Sequence, residues 1–441
     1  TIDEFDMLLT RLRLAELFTP RAGVFQFSEE GRMPCPVLLC DYNERICKTS
    51  SIHLGKDEDR NTTLSFFWGS RHSSSGMSHR DMRWAHVDAT AGLDRLTLLR
   101  LAVKYHLHPL AIDDVIDNRT PTKIDRFSEV KEGLQSTSTG MERFADYYFV
   151  SADILSLASS ESADPPPRVM IRRSNVSIFV ATNIRRDTIL TIHQDRPDKS
   201  SWLGLWRGDS AESFEVDKRL FNDLHKDMEA EPARRMREHT VDFLLYEILD
   251  RIVEQLRPIA EAYAKRLGYM HREPLNAYTQ AWLNELDEVQ IELVDLARSI
   301  RPMQQLVRRL ISDGIITTFV RDYFEDIDDA LEQMLGDVSQ LREMGKTLEE
   351  AYQSYCDKSM NTTLFALSMI SAVFLPAQFI TGLYGMNFVE PDQTPGIPEL
   401  EMPHGYVYFW SLQFVCLLGA SLLAFCLHRS DRISLRRCRV K

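Results

Sequence analysis

The sequence predicts an α+β membrane protein in which an N-terminal α/β cytoplasmic domain is followed by a long helical stalk and two C-terminal transmembrane helices. Two uncharged apolar runs, 361–389 and 406–428, are the first observation, since about 20 apolar residues suffice to cross a bilayer. Apolar residues at steps of three and four from about residue 238 onward predict packed helices. Short strand-like and helical runs alternate between residues 84 and 194, which predicts a compact α/β domain.

The 441 residues therefore divide into segments of different composition. They are, in chain order, a variable N-terminal extension (1–80), the α/β cytoplasmic domain (81–237), the helical arm and stalk (238–358), the first transmembrane helix (359–387), an acidic outer loop (388–405), the second transmembrane helix (406–428) and a basic cytoplasmic tail (429–441). In the extension, only the apolar runs Val37–Leu39 and Ser65–Trp68 suggest order.

Strand-like runs in the α/β domain are rich in β-branched and aromatic residues, and the runs between them have helical periodicity. The predicted strands are Trp84–Asp88, Tyr147–Leu155, Val169–Ile171 and Val176–Thr182. The predicted helices are Asp94–Tyr105 and Pro109–Asp117. The proline-rich segment 158–168 predicts a loop between two of the strands.

Three helical series make up the predicted stalk. The last of them begins near Thr318, and its apolar residues keep a heptad-like spacing from Phe324 to Tyr355. No proline interrupts the sequence between Pro302 and Pro376, so we expect one helix to continue into the first apolar run. At 1.5 Å per residue it would be about 100 Å long. Helices of that length rarely stand alone, which predicts packing in an oligomer.

Charge is distributed unevenly around the two apolar runs. The tail after the second run is strongly basic, whereas the loop between the runs has no lysine or arginine and contains four acids: Glu390, Asp392, Glu399 and Glu401. The positive-inside rule then places both termini on the cytoplasmic or matrix side and the loop outside. The acids either raise the local cation concentration or are ordinary exposed charges. The net charge of −13 argues against nucleic acid as a main partner.

One stripe of the first apolar run differs from its other faces. Two adjoining rows that contain mostly small and polar residues recur with a seven-residue period. They are Asn361, Ser368, Leu375 and Gly382 in one row, and Leu364, Ser371, Gln378 and Gly385 in the other. Polar groups at membrane depth normally face a partner helix or a water-filled path, and the residues alone leave both interpretations open. Pro376 removes one backbone hydrogen bond and is expected to kink or loosen the helix.

The seven cysteines do not have the spacing of a disulfide framework. They predict free thiols in a reducing compartment, with zinc bound by Cys35, Cys40 and Cys47 as the alternative. No Ser-His-Asp or Cys-His arrangement can be argued from the spacing, and Gly345-Lys346 lacks the upstream glycine and strand of a phosphate-binding loop. The sequence therefore predicts neither an enzyme nor an organic cofactor.

The first apolar run ends in Tyr384-Gly385-Met386-Asn387-Phe388. Here the chain resembles the CorA-type magnesium channels and transporters, in which a Gly-Met-Asn triplet ends the first of two C-terminal spans. The preceding 374–384 is similar to the pore helix of that family, and 108–115 resembles a signature of its soluble domain, continued at 121–123. Arg298–Pro302 is similar to the turn region of the helical arm. The resemblance covers about residues 80–430.

The resemblance implies a homopentamer in which each subunit gives one inner helix to a central pore. It implies a selectivity filter at Gly385, Met386 and Asn387. The positions that match the pore lining are Asn361, Leu364, Ser368, Ser371, Leu375, Gln378 and Gly382. Of these, Leu364 and Leu375 match hydrophobic constrictions.

The sequence therefore predicts a channel or transporter that moves hydrated Mg²⁺ into the cytoplasm and is gated by cytoplasmic Mg²⁺. The resemblance places regulatory Mg²⁺ at carboxylates that match Asp114, Asp326 and Glu350. Transport of zinc or another divalent cation is one alternative, and a transport-inactive membrane scaffold is another. The expected partners are divalent cations, the lipid bilayer and further copies of the chain. The expected location is the plasma membrane, with the mitochondrial inner membrane as the alternative.

Overall fold

The computed structural model describes residues 35–44, 46–54, 66, 82–118, 120–128, 146–158, 168–181, 187–196, 213–230, 236–237, 239–273, 279–314, 316–386, 397 and 402–438. The chain divides into two compact units, 1–348 and 349–441. Most of the predicted loop 158–168 and of the predicted acidic loop lies outside the described residues.

A seven-stranded mixed sheet forms the centre of the N-terminal unit. Its strands are β1 Pro36–Tyr42, β2 Cys47–His53, β3 Met82–Ala89, β4 Lys123–Ser128, β5 Asp146–Ala158, β6 Met170–Ala181 and β7 Thr188–Asp195. The strand order is β2-β1-β3-β7-β6-β5-β4. β3 and β7 are parallel, and every other neighbouring pair is antiparallel. The predicted α/β domain is confirmed.

Part of the predicted extension over 1–80, Pro36–His53, belongs to the sheet, and the order expected at Val37–Leu39 corresponds to β1. β1 and β2 form a hairpin, and β1 pairs with β3 along Val37–Tyr42, so the sheet begins before the predicted boundary at residue 81. The sequence of β2, Cys47–His53, is mostly polar and exposed. An edge strand needs no apolar run, which is why hydrophobic patterning does not reveal it.

The sequence analysis also misses β4 and β7, and it divides β6 into two runs. Arg172, Arg173 and Ser174 lie in the middle of β6 and interrupt its apolar pattern. Two of these side chains are buried in the folded chain, Arg172 and Ser174. Polar partners that come from distant parts of the chain make this burial possible, for example the Asp195 carboxylate, which accepts from Arg172 at 2.9 Å.

The described residues form eight helices. They are α1 Arg95–Tyr105, α2 Pro109–Asp117, α3 Ser213–Glu229, α4 Val241–Glu254, α5 Leu256–Arg272, α6 Gln280–Ser312, α7 Thr318–Tyr384 and α8 Gly405–Cys438. α7 confirms the predicted continuous helix, and its 67 residues correspond to about 100 Å. Arg298–Pro302, expected in a turn, instead lies inside α6. Apolar residues on both sides of Pro302 stay buried, Ile300 and Met303 among them, and hold the helix together across the proline.

Helices cover both faces of the sheet. α1 and α2 pack on one face, in a core that includes Leu39, Val87, Leu98, Ile112 and Phe179. On the other face, α3 crosses β3. The rings of His225 and Trp84 stack with their centroids 3.9 Å apart, and the rings of Phe221 and His86 stack at 4.3 Å. Side chains alternate between the two faces of the sheet along each strand, so the helices on the two faces contact different residues of the same strands.

The alternative of zinc bound by three cysteines is wrong, because the sheet separates the sulfur atoms. Cys35 belongs to the core under α1 and α2, where its Sγ donates to the Gly92 carbonyl at 3.1 Å. Cys40 and Cys47 face each other with their sulfur atoms 3.1 Å apart. Within the described residues no cluster of three or more His, Cys, Asp or Glu side chains is arranged to hold a metal ion.

The signature-like segment that begins at His108 starts a helix. His106 adopts a left-handed conformation (φ 52°) that ends α1. His108 caps α2, because its Nδ1 accepts from the Leu110 N–H at 3.2 Å, and Pro109 occupies the first helical position. The His108 N–H donates to the Tyr147 hydroxyl at 2.6 Å. Both histidines therefore mark helix ends.

A buried guanidinium joins three parts of the sheet domain. Arg196 follows β7, and its Nη1 lies 3.0 Å from the Asp153 carboxylate on β5, with the two side chains only 7% and 12% exposed. Its Nε donates to the Asn118 carbonyl at 3.1 Å, and its other terminal nitrogen donates to the Thr120 carbonyl. Asn118 ends α2 in a left-handed conformation. Arg196 thus fixes the loop after α2 against the sheet.

We predict that Arg196→Met lowers the thermal unfolding midpoint of the detergent-solubilised full chain by several degrees. The substitution leaves the Asp153 charge buried without its partner, which costs about 3–5 kcal/mol. The matched control is Arg257→Met, because Arg257 and Glu261 form a pair on α5 that is 81% and 58% exposed. Such pairs contribute about 0–1 kcal/mol. Equal midpoints for the two variants would contradict the assigned role of Arg196.

Candidate functional site

Two helices of the described residues are long and apolar enough to cross a membrane, α7 and the Gly405–Leu423 part of α8. In the most apolar segment of each helix, only 6% of the residues of α7 and 0% of those of α8 are buried within the chain. An apolar helix in the core of a soluble protein is buried. The exposure of these helices therefore indicates surfaces that lipid or further copies of the chain cover.

α8 packs on one face of the α7 span. Gln413 of α8 donates from Nε2 to the Ala377 carbonyl at 3.1 Å, and the rings of Tyr384 and Phe409 lie 5.4 Å apart between centroids. Ala377 is buried, with 6% of its surface exposed. These contacts define the face of α7 that the second span covers.

The polar stripe predicted from the sequence lies on a different face. Gln378, Gly382 and Gly385 are displaced from the face of Ala377 and Tyr384 by roughly a third of a turn at 3.6 residues per turn. All the predicted lining positions are exposed in the chain: Asn361, Leu364, Ser368, Ser371, Leu375, Gln378 and Gly382. The second span therefore leaves the stripe open.

Hydroxyl groups elsewhere in the two long helices are satisfied locally. Thr362, Thr381 and Ser411 each donate to the carbonyl four residues earlier, at 2.8, 2.9 and 2.7 Å. The polar side chains of the stripe differ, since within the described residues no hydrogen bond is made by Asn361, Ser368, Ser371 and Gln378. Because polar groups at membrane depth need partners, this stripe requires water, ions or polar groups from other copies of the chain.

The α7 helix closes at the start of the Gly-Met-Asn triplet. The Gly385 N–H donates to the Thr381 carbonyl at 3.0 Å, and the Met386 N–H donates to the Leu383 carbonyl at 3.2 Å. A Cβ on Gly385 would lie 3.2 Å from the Thr381 carbonyl oxygen, which is a crowded contact with rigid backbone. Asn387 lies outside the described residues, as do the loop acids Glu390, Asp392, Glu399 and Glu401.

Asp114, one of the predicted regulatory carboxylates, is engaged within the chain. Its Oδ2 lies 2.8 Å from the Lys123 ammonium, and its Oδ1 accepts from the Thr120 hydroxyl at 3.1 Å. Burial lowers the pKa of Lys123, but its hydrogen bonds to Asp114 and Asp125 outweigh this effect and raise the pKa above its ordinary value. A metal ion at Asp114 must therefore compete with a bound lysine.

Asp326 and Glu350, the other predicted regulatory residues, are exposed on α7. In the part of the chain that the structure describes, neither makes an ion pair or a hydrogen bond. Burial, together with the nearby charges of Glu254 and Asp326, raises the pKa of Asp250 on α4. Asp326 thus adds negative charge near Asp250, and the positive charge of Arg251 acts on Asp250 in the opposite direction.

The neighbouring acids of α7 are not equivalent to Asp326. Asp328 and Glu332 pair with Arg308 of α6, at 2.9 and 3.2 Å, and Glu325 pairs with Arg321 at 3.0 Å. Sequence alone does not separate paired from unpaired acids in this run, since the partner in α6 lies 20 residues or more away. Only the unpaired acids have charge available for a regulatory cation.

A family model for the CorA-like Mg²⁺ transporter protein matches residues 79–429. The chain therefore belongs to the CorA-like Mg²⁺ transporter family, whose members are transporters of divalent cations and integral membrane proteins. This confirms the resemblance drawn from the Gly-Met-Asn triplet and its context. The β1–β2 hairpin lies before the matched region.

Two curated relatives are named for the transport of different ions. The chain is 27% identical over 173 residues to the cobalt/magnesium transport protein CorA of Thermotoga maritima, which is 39% of this chain and 48% of the relative. It is 24% identical over 206 residues to the zinc transport protein ZntB of Vibrio parahaemolyticus, covering 44% of this chain and 59% of the relative. The chain thus spans about half the length of these relatives.

The fold is shared with a solved full-length structure. The chain resembles the complete CorA magnesium transporter of Methanocaldococcus jannaschii with a TM-score of 0.57 and 17% sequence identity. The alignment covers 89% of this chain and 98% of that structure. An α/β domain, a long helix and two C-terminal apolar helices are therefore the architecture of both proteins.

We predict that cysteines introduced at Ser368 and Ser371 react with a water-soluble cationic thiol reagent roughly tenfold faster than a cysteine at Ile370. The thiolate is the reactive species, and it forms only where water reaches the side chain. The measurement uses protein in liposomes with the seven native cysteines replaced. Ile370 is the matched control because it is also exposed in the chain, at 57%, but lies outside the stripe. Equal rates would support helix packing alone.

Proposed function

We propose that the protein is a homopentameric magnesium channel in which hydrated Mg²⁺ passes along the stripe of α7. Membership of the family supports transport of divalent cations. The observation that carries the pore assignment is the open face of Asn361, Ser368, Ser371 and Gln378, whose side chains have no hydrogen-bond partner among the described residues. Five copies of α7 around an axis would give these groups a shared water-filled path.

The chemistry of the stripe suits an ion that keeps its water. Mg²⁺ dehydrates reluctantly, so neutral oxygen acceptors that bind its water hydrogens avoid the cost of stripping them. We assign this role to Asn387 at the outer mouth, assisted by the Gly385 carbonyl. Rings of Leu364 and Leu375, exposed by 52% and 63% in the single chain, would form constrictions that close by excluding water.

Direction of transport follows from the charge distribution. The basic tail and the acidic loop support cytoplasmic termini, and we place the protein in the plasma membrane, with the mitochondrial inner membrane as the alternative. Both membranes are negative on the side of the termini in this orientation. An inside-negative potential contributes about 2.3 kcal/mol per charge per 100 mV, so it drives a divalent cation inward without any coupled reaction.

We predict that Asn387→Ala abolishes Mg²⁺ uptake into liposomes while the protein remains a folded oligomer. Loss of the amide removes the acceptor for the hydrated ion at the mouth. Asn387→Asp is expected to bind Mg²⁺ more tightly and to reduce flux, because release from a carboxylate ring is slower. Asn284→Ala is the control, since Asn284 is exposed on α6 and its side-chain oxygen accepts from Gln280, which lies on the same helix.

The same liposomes distinguish the proposed ion from the alternatives. Uptake of Mg²⁺ by the wild type and not by Asn387→Ala supports the proposal. Uptake of Zn²⁺ without Mg²⁺ would replace it with a zinc transporter, the activity named for one relative. If the folded wild type takes up neither Mg²⁺ nor Zn²⁺, a transport-inactive scaffold would be favoured.

We propose further that cytoplasmic Mg²⁺ closes the channel by binding at Asp326 and, about 36 Å farther along α7, at Glu350, in each case together with carboxylates of a neighbouring subunit. Both side chains are exposed and lack an ion-pair partner among the described residues. A bridging cation would hold such carboxylates together, and its loss would leave them repelling each other. Asp114 can bind a regulatory Mg²⁺ only when its ion pair with Lys123 is broken.

We predict that Asp326→Ala weakens inhibition of the channel current by cytoplasmic Mg²⁺, whereas Glu325→Ala leaves it unchanged. The two residues are adjacent on α7, but Glu325 is already paired with Arg321. Lys123→Met is expected to strengthen inhibition, because it frees the Asp114 carboxylate for Mg²⁺. The measurement is current against cytoplasmic Mg²⁺ concentration in patches or planar bilayers. Identical curves for Asp326→Ala and the wild type would exclude the regulatory role.

A further inference from the structure

The β1–β2 hairpin brings two thiols together on one face of the sheet. Cys40 pairs with Thr49 across the hairpin, and Cys47 pairs with Tyr42, so the two cysteines are diagonal neighbours whose side chains point the same way. Their sulfur atoms lie 3.1 Å apart. A disulfide bond is about 2.05 Å long, so a displacement of about 1 Å would join them.

We propose that Cys40 and Cys47 form a reversible disulfide, made by a peroxide and broken by a dithiol reductant. The transport function assigned to α7 does not use this pair. In the cytoplasmic location proposed for this domain, disulfides are typically transient and redox-sensing, and Cys47 is partly exposed, which makes a disulfide at this position easier to reduce. The pair is therefore suited to a reversible modification.

The two thiols are set up for different roles. Cys47 is partly exposed, whereas Cys40 is fully buried. The hydrogen bond from the Cys40 S–H lowers the pKa of Cys47 and, together with the Thr49 hydrogen bond and the charge of Arg237, outweighs the opposite effects of burial and of the Glu229 carboxylate. The same hydrogen bond, together with burial, raises the pKa of Cys40. Cys47 is thus the accessible thiolate and Cys40 the protonated thiol that resolves it.

The reaction balances with one peroxide molecule. The Cys47 thiolate attacks a peroxide oxygen, the O–O bond breaks, and Cys47 becomes a sulfenic acid while hydroxide leaves and takes a proton to give water. Cys40 sulfur then attacks the sulfenic sulfur, the S–O bond breaks, and a second water carries away the thiol proton. Two thiols are oxidised by two electrons and the peroxide is reduced to two waters. A dithiol returns the two electrons by thiol–disulfide exchange.

Cys35 shows what a structural cysteine looks like in the same domain. Its sulfur donates to the Gly92 carbonyl at 3.1 Å and accepts from the Asp94 N–H at 3.2 Å. It is only 3% exposed and lies in the core under α1 and α2. Cys35 is closed to solvent and has no second sulfur beside it among the described residues. It therefore serves as the internal negative control for oxidation by peroxide.

The test is limited treatment of the folded chain with hydrogen peroxide, followed by denaturation, alkylation and mass spectrometry. We expect the wild type to fall from seven to five alkylatable cysteines, with a cross-linked pair mapped to Cys40 and Cys47, and dithiothreitol to restore all seven. The reaction rate should rise with pH through a midpoint below about 8.5, the ordinary thiol pKa. Cys356→Ser, which removes an exposed cysteine, should react like the wild type.

Two serine variants separate the roles. In Cys47→Ser, loss of the Cys40 thiol should slow by roughly tenfold or more, because the thiolate is the reactive species. In Cys40→Ser, Cys47 should stop at the sulfenic acid, detected by a dimedone adduct. The proposal is overturned if the treated wild type keeps both thiols, if the cross-link maps to other cysteines, or if neither serine variant changes the outcome. Unchanged thermal midpoints confirm that the variants are folded.

Discussion

Lipid offers no hydrogen bonds, so every polar group of a membrane helix must find its partner within the protein, in water or in an ion. This constraint orders the C-terminal unit. The backbone N–H and C=O groups form their hydrogen bonds within α7 and α8. Hydroxyls such as that of Thr381 donate hydrogen bonds to carbonyls of the same helix. Asn361 and Gln378 are not satisfied in this way. In the part of the chain that the structure describes, these amides have no hydrogen-bond partner, and this is the observation on which the proposed hydrated path rests.

The faces of α7 therefore have separate tasks. One face meets α8 through Ala377 and Tyr384, and the stripe lies roughly a third of a turn away. Large apolar side chains such as Ile370 and Phe379 are 57% and 70% exposed in the single chain, and lipid or a neighbouring copy is the surrounding that suits them. Small and polar residues recur on one face of α7 over about three heptads, which is the pattern of a face that meets water or a partner helix rather than lipid.

Sequence predicted what depends on local pattern and missed what depends on distant partners. The heptad spacing of Phe324 and its successors specifies α7, because an amphipathic helix needs only its own residues to reveal its buried face. β2 has no such signal, since it pairs at the edge of the sheet. The pairing of Asp114 with Lys123 and of Asp328 with Arg308 likewise requires the fold, as does the distinction between satisfied and unsatisfied polar groups in the spans.

Relatives of this chain are named for magnesium and for zinc, so membership of the family does not by itself fix the transported ion. Zinc is bound in proteins by sulfur, imidazole nitrogen and carboxylate ligands, and none of the described stripe positions carries a cysteine, a histidine or an acid. Amide and hydroxyl oxygens bind a hydrated ion through its water instead, weakly enough for it to leave. Mg²⁺ holds its water more firmly than larger cations do, so the proposed path of neutral oxygens and leucine rings would favour Mg²⁺ over ions that exchange their water more readily.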